Sequence, residues 1–121
     1  MARKSKAVHV RLNPATLALN TAENISAIVS DDVVFRLTKP ITLDSYKEGS
    51  LWHHEYAPLN IVAYGKTEEE SLRDFAGYFA SCWRVIAEEE DSRLASDARR
   101  MKAMLHELVS EVEPAREFLS R

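Results

Sequence analysis

The apolar positions of this chain change period abruptly at Gly65. From Leu59 to Tyr64 (LNIVAY), Leu59, Ile61 and Ala63 alternate with Asn60, Val62 and Tyr64, the two-residue period of a strand buried mainly on one face. Beyond Gly65-Lys66, the residues Leu72, Phe75, Ala76, Phe79, Trp83 and Ile86 recur at spacings of three and four. This predicts an amphipathic helix from about Glu68 to Glu89, with Tyr78 and Cys82 along its flank. Thr67 and Glu70 have capping-box spacing: Thr67 accepts from an N–H three residues on, and Glu70 reaches back to the Thr67 N–H. Glu68 and Glu69 complete a first turn whose dipole favours carboxylates.

Upstream, the alternation of Val8, Val10 and Leu12 over Lys6–Leu12 predicts a strand that Asn13-Pro14 interrupts. Leu17, Ala18, Thr21 and Ala22 in Pro14–Ser30 have roughly helical spacing but too few large apolar side chains to define a helix. Val33–Leu37 is a strand candidate, and Ile41–Leu43 after Pro40 either extends it past a bulge or begins another. Tyr46–Ser50 reads as a turn and Leu51–Tyr56 (LWHHEY) as the returning arm of a hairpin. Downstream, Glu88–Asp91 is a poor helix end by dipole logic and reads as a solvated connector. A second helix is expected from Ser96, as cap, with Ala98, Met101, Leu105, Leu108 and Val112 as its buried stripe. Pro114 suits the first turn of a short terminal helix. The expected architecture is a single α+β domain over residues 1–121. It has a small antiparallel sheet of three to four strands, the first helix across one face and the C-terminal helix packed beside it.

Composition changes this picture little. At 121 residues and 45% apolar content the chain can build one core without disulfides or a metal. The lone Cys82 forms no internal disulfide. No apolar run approaches a membrane span, and the N-terminus lacks a secretory core, so a cytoplasmic protein without membrane contact is expected. Charge is uneven. Arg3, Lys4, Lys6 and Arg11 fall within the first twelve residues with no acid among them, leaving the remaining 109 residues with 12 basic and 19 acidic side chains. Residues 1–6 read as a flexible basic arm, and these four cations are the candidate nucleic-acid contacts. The competing reading is a solvated terminus.

Candidate chemistry is sparse. His53 and His54 are adjacent and point to opposite faces of a strand, so they do not share a metal. His53 and Glu55 share a face, the spacing of an acid/base pair in a small nuclease or hydrolase if Asp44 or Glu48 joins them in a cleft. The alternative is a pair of surface side chains on a strand edge. Cys82 reads as a buried, inert thiol. Gly49, Gly65 and Gly77 are isolated and make no phosphate loop. Mid-helix Gly77, costing up to about 1 kcal/mol against Ala, implies a backbone packed closely over it. No catalytic, cofactor or metal set is expected. Phe79 and Trp83 read as core, whereas Trp52, Tyr56, Tyr78 and Met104 are the candidate partner-binding residues.

The run Trp52–Phe79 (WHHEYAPLNIVAYGKTEEESLRDFAGYF) resembles the core of HicB-type antitoxins, through Tyr64-Gly65, Thr67 to Glu70, and Leu72. The strand candidates at 33–43 extend the resemblance over residues 33–87. It implies a partial ribonuclease-H-like βββα layer without nuclease activity, which binds and silences a small ribonuclease toxin and autoregulates at DNA. The sequence departs from the family pattern at Pro58-Leu59-Asn60-Ile61, where a Pro-Gly-Cys-like stretch is usual. The family's usual C-terminal DNA-binding module is not recognisable after Glu90. A non-catalytic binding module is the leading expectation, with a small protein toxin as partner and homo-oligomers as its expected state. The His53/Glu55 enzyme and a homo-oligomeric structural subunit are the alternatives.

Overall fold

The computed structural model describes residues 6–9, by backbone alone, and residues 24–116. The described residues form six strands, two α-helices and a final strand: β1 Lys6–His9, β2 Ile25–Ser30, β3 Val33–Ile41, β4 Asp44–Glu48, β5 Leu51–Tyr56, β6 Ile61–Gly65, α1 Glu68–Cys82, α2 Ser96–Leu108 and β7 Val109–Pro114. The class is α+β, as expected, but the strands divide between two sheets. One has the order β1-β2-β3-β7 and the other β4-β5-β6. All pairings are antiparallel except β1 with β2.

The hairpins form where local chemistry permits a sharp reversal. Gly49, at φ +62°, closes β4 onto β5 with Glu48 opposite Leu51, a left-handed position that favours glycine. Asp31, at φ +50°, does the same between β2 and β3, where a short polar side chain tolerates the left-handed region. The turn expected over Tyr46–Ser50 is thus only Gly49-Ser50, and Tyr46 stands in a strand. Past Pro40 only Ile41 extends β3, Thr42 and Leu43 lying between β3 and β4, and the register against β2 slips between Ile25 and Ala27. That slip falls beside Pro40, which has no N–H to give a ladder.

Helix α1 begins as the sequence predicts, with one correction. Thr67 Oγ1 accepts from the Glu70 N–H at 3.1 Å. Glu70 Oε2 accepts instead from Lys66 N–H at 2.9 Å, one residue before the expected capping-box partner. The buried stripe is Leu72, Phe75, Ala76 and Phe79, continued by half-buried Trp83 and Ile86 in a wider π turn, Trp83–Ala87. These residues meet Ile25, Ile28 and Phe35 of one sheet and Ile61 and Ala63 of the other in a single core. Phe35 lies edge-on to Phe79 at 5.2 Å. Each fully buried side chain of this kind contributes roughly 1.5–3 kcal/mol. On its opposite face the β2–β3 layer carries a small cluster of Ala27, Val29, Val34 and Ala115, beside an Arg36–Glu113 ion pair at 3.3 Å.

The C-terminal third departs most from expectation. Helix α2 stops at Leu108, and Val109–Pro114 pairs antiparallel with β3. Val112 is therefore 42% exposed on a strand, not buried on a helix. Thr38 Oγ1 lies 3.0 and 3.2 Å from the carbonyls of Glu107 and Leu108, supplying a partner where the helix leaves carbonyls unpaired. Ser96 is the first helical residue and not the cap, which is Ala95 without a side-chain bond. The acidic connector is tied down: Lys102 Nζ donates to Glu89 O at 2.6 Å and to Asp91 Oδ1 at 2.8 Å. That pairing holds the Asp91 carboxyl below its usual range. The expected segments at 10–23 and beyond 116 lie outside the described residues.

Two glycines have opposite constraints. A Cβ on Gly65 would lie 2.4 Å from Ser71 N and 2.7 Å from Glu70 C, both backbone atoms that move only with the helix. A Cβ on Gly77 would meet nothing within 4 Å among the described residues outside its own helix backbone, so none of them packs closely over Gly77 as expected. Gly65→Ala should therefore destabilise the fold by about 1–3 kcal/mol, and Gly77→Ala should stabilise it by up to about 1 kcal/mol. Urea denaturation of both variants checks this, and destabilisation by Gly77→Ala would contradict the open environment.

Candidate functional site

The sheet β4-β5-β6 has two unlike faces because side chains alternate along each strand. The inner face carries His54 and Ala63 against α1. There Ser71 Oγ donates to Ala63 O at 3.3 Å and lies 2.7 Å from His54 Nδ1. With the hydroxyl hydrogen given to the carbonyl, Nδ1–H is the donor to Ser71, and the buried Nε2 finds no partner among the described residues. Burial, with repulsion from neighbouring His53 as a lesser cause, lowers the His54 pKa from 6.5 to about 4. The ring is a neutral strut between strand and helix. The sequence placed His53 and His54 on opposite faces, and the structure agrees, with His54 fully buried.

The outer face is a row of rings. Tyr46, His53 and Tyr64 are direct cross-strand neighbours. Tyr46 stacks on His53 at 4.7 Å with 3° between planes, and Tyr64 stands edge-on to His53 at 4.8 Å. Leu51 and Val62 flank the row in register with Glu48 and with Asp44 and Glu55. Glu55 Oε1 accepts from Tyr46 OH at 2.9 Å, and this hydrogen bond, first among the causes, raises the Tyr46 pKa. His53 and Glu55 do share a face, but both are engaged by Tyr46. Asp44 stands opposite Glu55 on an open surface, where Tyr46, Leu51 and Tyr64 are 39%, 39% and 51% exposed. Among the described residues no group of His, Cys, Asp and Glu is arranged to hold a metal.

The ring row continues around the free edge of β6 into a groove beside α1. Tyr64 and half-exposed Tyr78 both line this groove, with Glu70, Asp74, Gly77 and Asp31. Asp74 Oδ2 accepts the Tyr64 backbone N–H at 3.0 Å, closing part of the strand edge with a side chain.

The partner-binding candidates fall in three places. Tyr78 lies in this groove. Tyr56 and Met104 share a different depression with Ile41, Leu59, Leu108 and Lys39. Trp52 is half-buried on the inner side of β5. Of the basic candidates, Arg3, Lys4 and Arg11 lie outside the described residues, and Lys6 is in β1, of which only the backbone is described. Cys82 is buried and its thiol pKa is raised by burial. Tyr46, Leu51 and Tyr64 are not among the partner-binding candidates of the sequence. The signal for them is alternation across Gly49, with Tyr46 and Glu48 on one arm and Leu51, His53 and Glu55 on the other. No described helix is long and apolar enough to cross a membrane.

No protein-family model matches the chain, and neither a curated protein nor a solved structure matches it.

The buried His54 gives the fold an acid sensitivity. The unfolded chain takes up a proton near its ordinary pKa of 6.5, whereas the folded chain resists until about 4, so stability falls as pH drops through that window. His54→Asn, which keeps a donor toward Ser71, should lose less stability than the parent between about pH 7 and about pH 5. Urea midpoints at the two pH values measure the difference, and parallel losses would exclude His54 as the source.

Proposed function

We propose that this chain is a non-catalytic protein-binding module of the antitoxin type, which neutralises a small ribonuclease by covering its RNA-binding surface. The observation that carries the reading is the row Tyr46–His53–Tyr64 on the sheet face turned away from α1, in which two exposed tyrosines flank a half-buried histidine. Rings in this arrangement are rigid, amphipathic and held in place by their neighbours, the properties that concentrate binding energy at protein interfaces. Their order costs little further entropy on association because the stack and the Tyr46–Glu55 bond already fix it.

The resemblance of Trp52–Phe79 to HicB-type antitoxins supports the same reading and supplies the class of partner. The alternative enzyme built on His53 and Glu55 gains no support from the geometry. His53 is stacked on Tyr46 and Glu55 is hydrogen-bonded to it, so both side chains are already engaged. A homo-oligomeric structural role would use the same exposed rings, and the partner assay separates it.

The test is recovery of partners on the tagged full chain from its native cells, followed by expression of each small partner with and without this protein. A partner that arrests growth alone and is silenced by this chain is the expected outcome. Tyr46→Ala and Tyr64→Ala should each weaken that complex by tenfold or more, about 1.4 kcal/mol, as measured by calorimetry on folded variants. Recovery of only the chain itself would overturn the antitoxin reading in favour of self-association.

A further inference from the structure

The groove between the edge of β6 and α1 has three features that the exposed ring row does not by itself explain. Its wall at Gly77 is bare among the described residues, since a Cβ there would meet none of their atoms within 4 Å beyond the helix's own backbone. A glycine in mid-helix costs up to about 1 kcal/mol against alanine, and here that cost secures no internal packing. Its sides carry two half-exposed tyrosines, Tyr64 at 51% and Tyr78 at 50%. Among the described residues its charge is negative: Asp31, Glu70 and Asp74 line it, and the one cation among its described lining residues, Arg73, is paired with Glu69 at 3.0 Å.

We infer that this groove receives an arginine side chain from a basic protein partner, with the guanidinium between the Tyr64 and Tyr78 rings and directed at Asp74. Ring faces attract a cation, and a planar, weakly hydrated guanidinium stacks on them better than an ammonium does. Asp74 Oδ2 is held by Tyr64 N–H, which fixes the carboxylate while its other oxygen is left to accept a charge-assisted bond. The same contact occupies an outward N–H of β6, so the partner enters by a side chain and not as an added strand. Gly77 supplies the depth that a long side chain needs. The inference rests on the binding-module reading and sharpens it, because a ribonuclease holds phosphates with its own arginines and lysines.

The probe is a capped Gly-Arg-Gly-Arg-Gly peptide titrated into the isotope-labelled full chain, with Gly-Gln-Gly-Gln-Gly as the neutral control and amide NMR shifts as the readout. Saturable shifts at Tyr64, Asp74, Gly77 and Tyr78 with the arginine peptide alone are expected. Asp74→Asn keeps an oxygen for the Tyr64 N–H but removes the charge, and should weaken binding about tenfold. Gly77→Leu, placed where a Cβ meets nothing, should leave the fold intact and abolish the shifts. Equal shifts with the glutamine peptide, arginine-induced shifts spread over other acidic surfaces, or undiminished binding by Gly77→Leu would each overturn the inference. A toxin bound equally by the parent and both variants would remove the groove while leaving the module reading in place. Peptide binding in the groove without any toxin partner would do the reverse.

Discussion

The seating of α1 on the edge of β6 organises the rest of the molecule, and it depends on backbone approaching backbone at Gly65. The strand ends there, the chain turns through Lys66-Thr67, and the first helical turn comes back so closely that Ser71 N would lie 2.4 Å from any added Cβ. This proximity lets Ser71 reach Ala63 O and His54 together. It also carries Asp74 to the Tyr64 N–H. Three polar contacts thus follow from one missing methyl, and together they fix the rotation of the helix about its own axis. With that rotation set, Leu72, Phe75 and Phe79 face the core and Tyr78 faces out.

The same constraint makes the two sides of the β4-β5-β6 sheet chemically distinct. On the inner side a neutral histidine bridges strand to helix, at the cost of a buried ring nitrogen without a partner among the described residues. An unsatisfied buried acceptor costs of the order of 1–3 kcal/mol, so the core around it must be well enough packed to hold the ring regardless. On the outer side, where no described element covers the sheet, the side chains pair with one another instead. The Tyr46 ring lies flat on His53, and its hydroxyl is held by Glu55. The face is ordered without being covered, which suits a surface that meets another macromolecule.

The C-terminal part acts as a clamp between the sheets and the end of α1. His106 Nε2 lies 2.8 Å from Ala87 O, and its ring lies 5.0 Å from Trp83. Lys102 anchors the acidic connector, and β7 pairs with β3 as the outer strand of the larger sheet. Acidic residues at the end of α1 are unfavourable to the helix dipole, but a lysine from the next helix compensates them. The wider π turn at Trp83–Ala87 directs Trp83 toward both Phe35 and His106.

Periodicity and local backbone chemistry made the central unit legible in the amino-acid sequence. The alternation of Ile61 and Ala63, the Thr67 cap and the Leu72–Phe79 stripe each depend on residues within a turn or two of one another, so their physics is contained in a short window. Opposite faces for His53 and His54 followed from the same two-residue period. Contacts between distant segments were not legible. Val109 and Val112 fit a helix as well as a strand by spacing, and the open edge of β3, some seventy residues earlier, decided for the strand. Gly77 is the glycine whose mid-helix cost implies a close approach, yet Gly65 is where backbone crowds in, because a glycine's cost is local while its neighbours are tertiary. The ring row arises in the same way. Tyr46, His53 and Tyr64 are separated along the chain, and only the register of three strands, set by the Gly49 turn and by the burial of His54 and Ala63 beneath α1, brings them side by side.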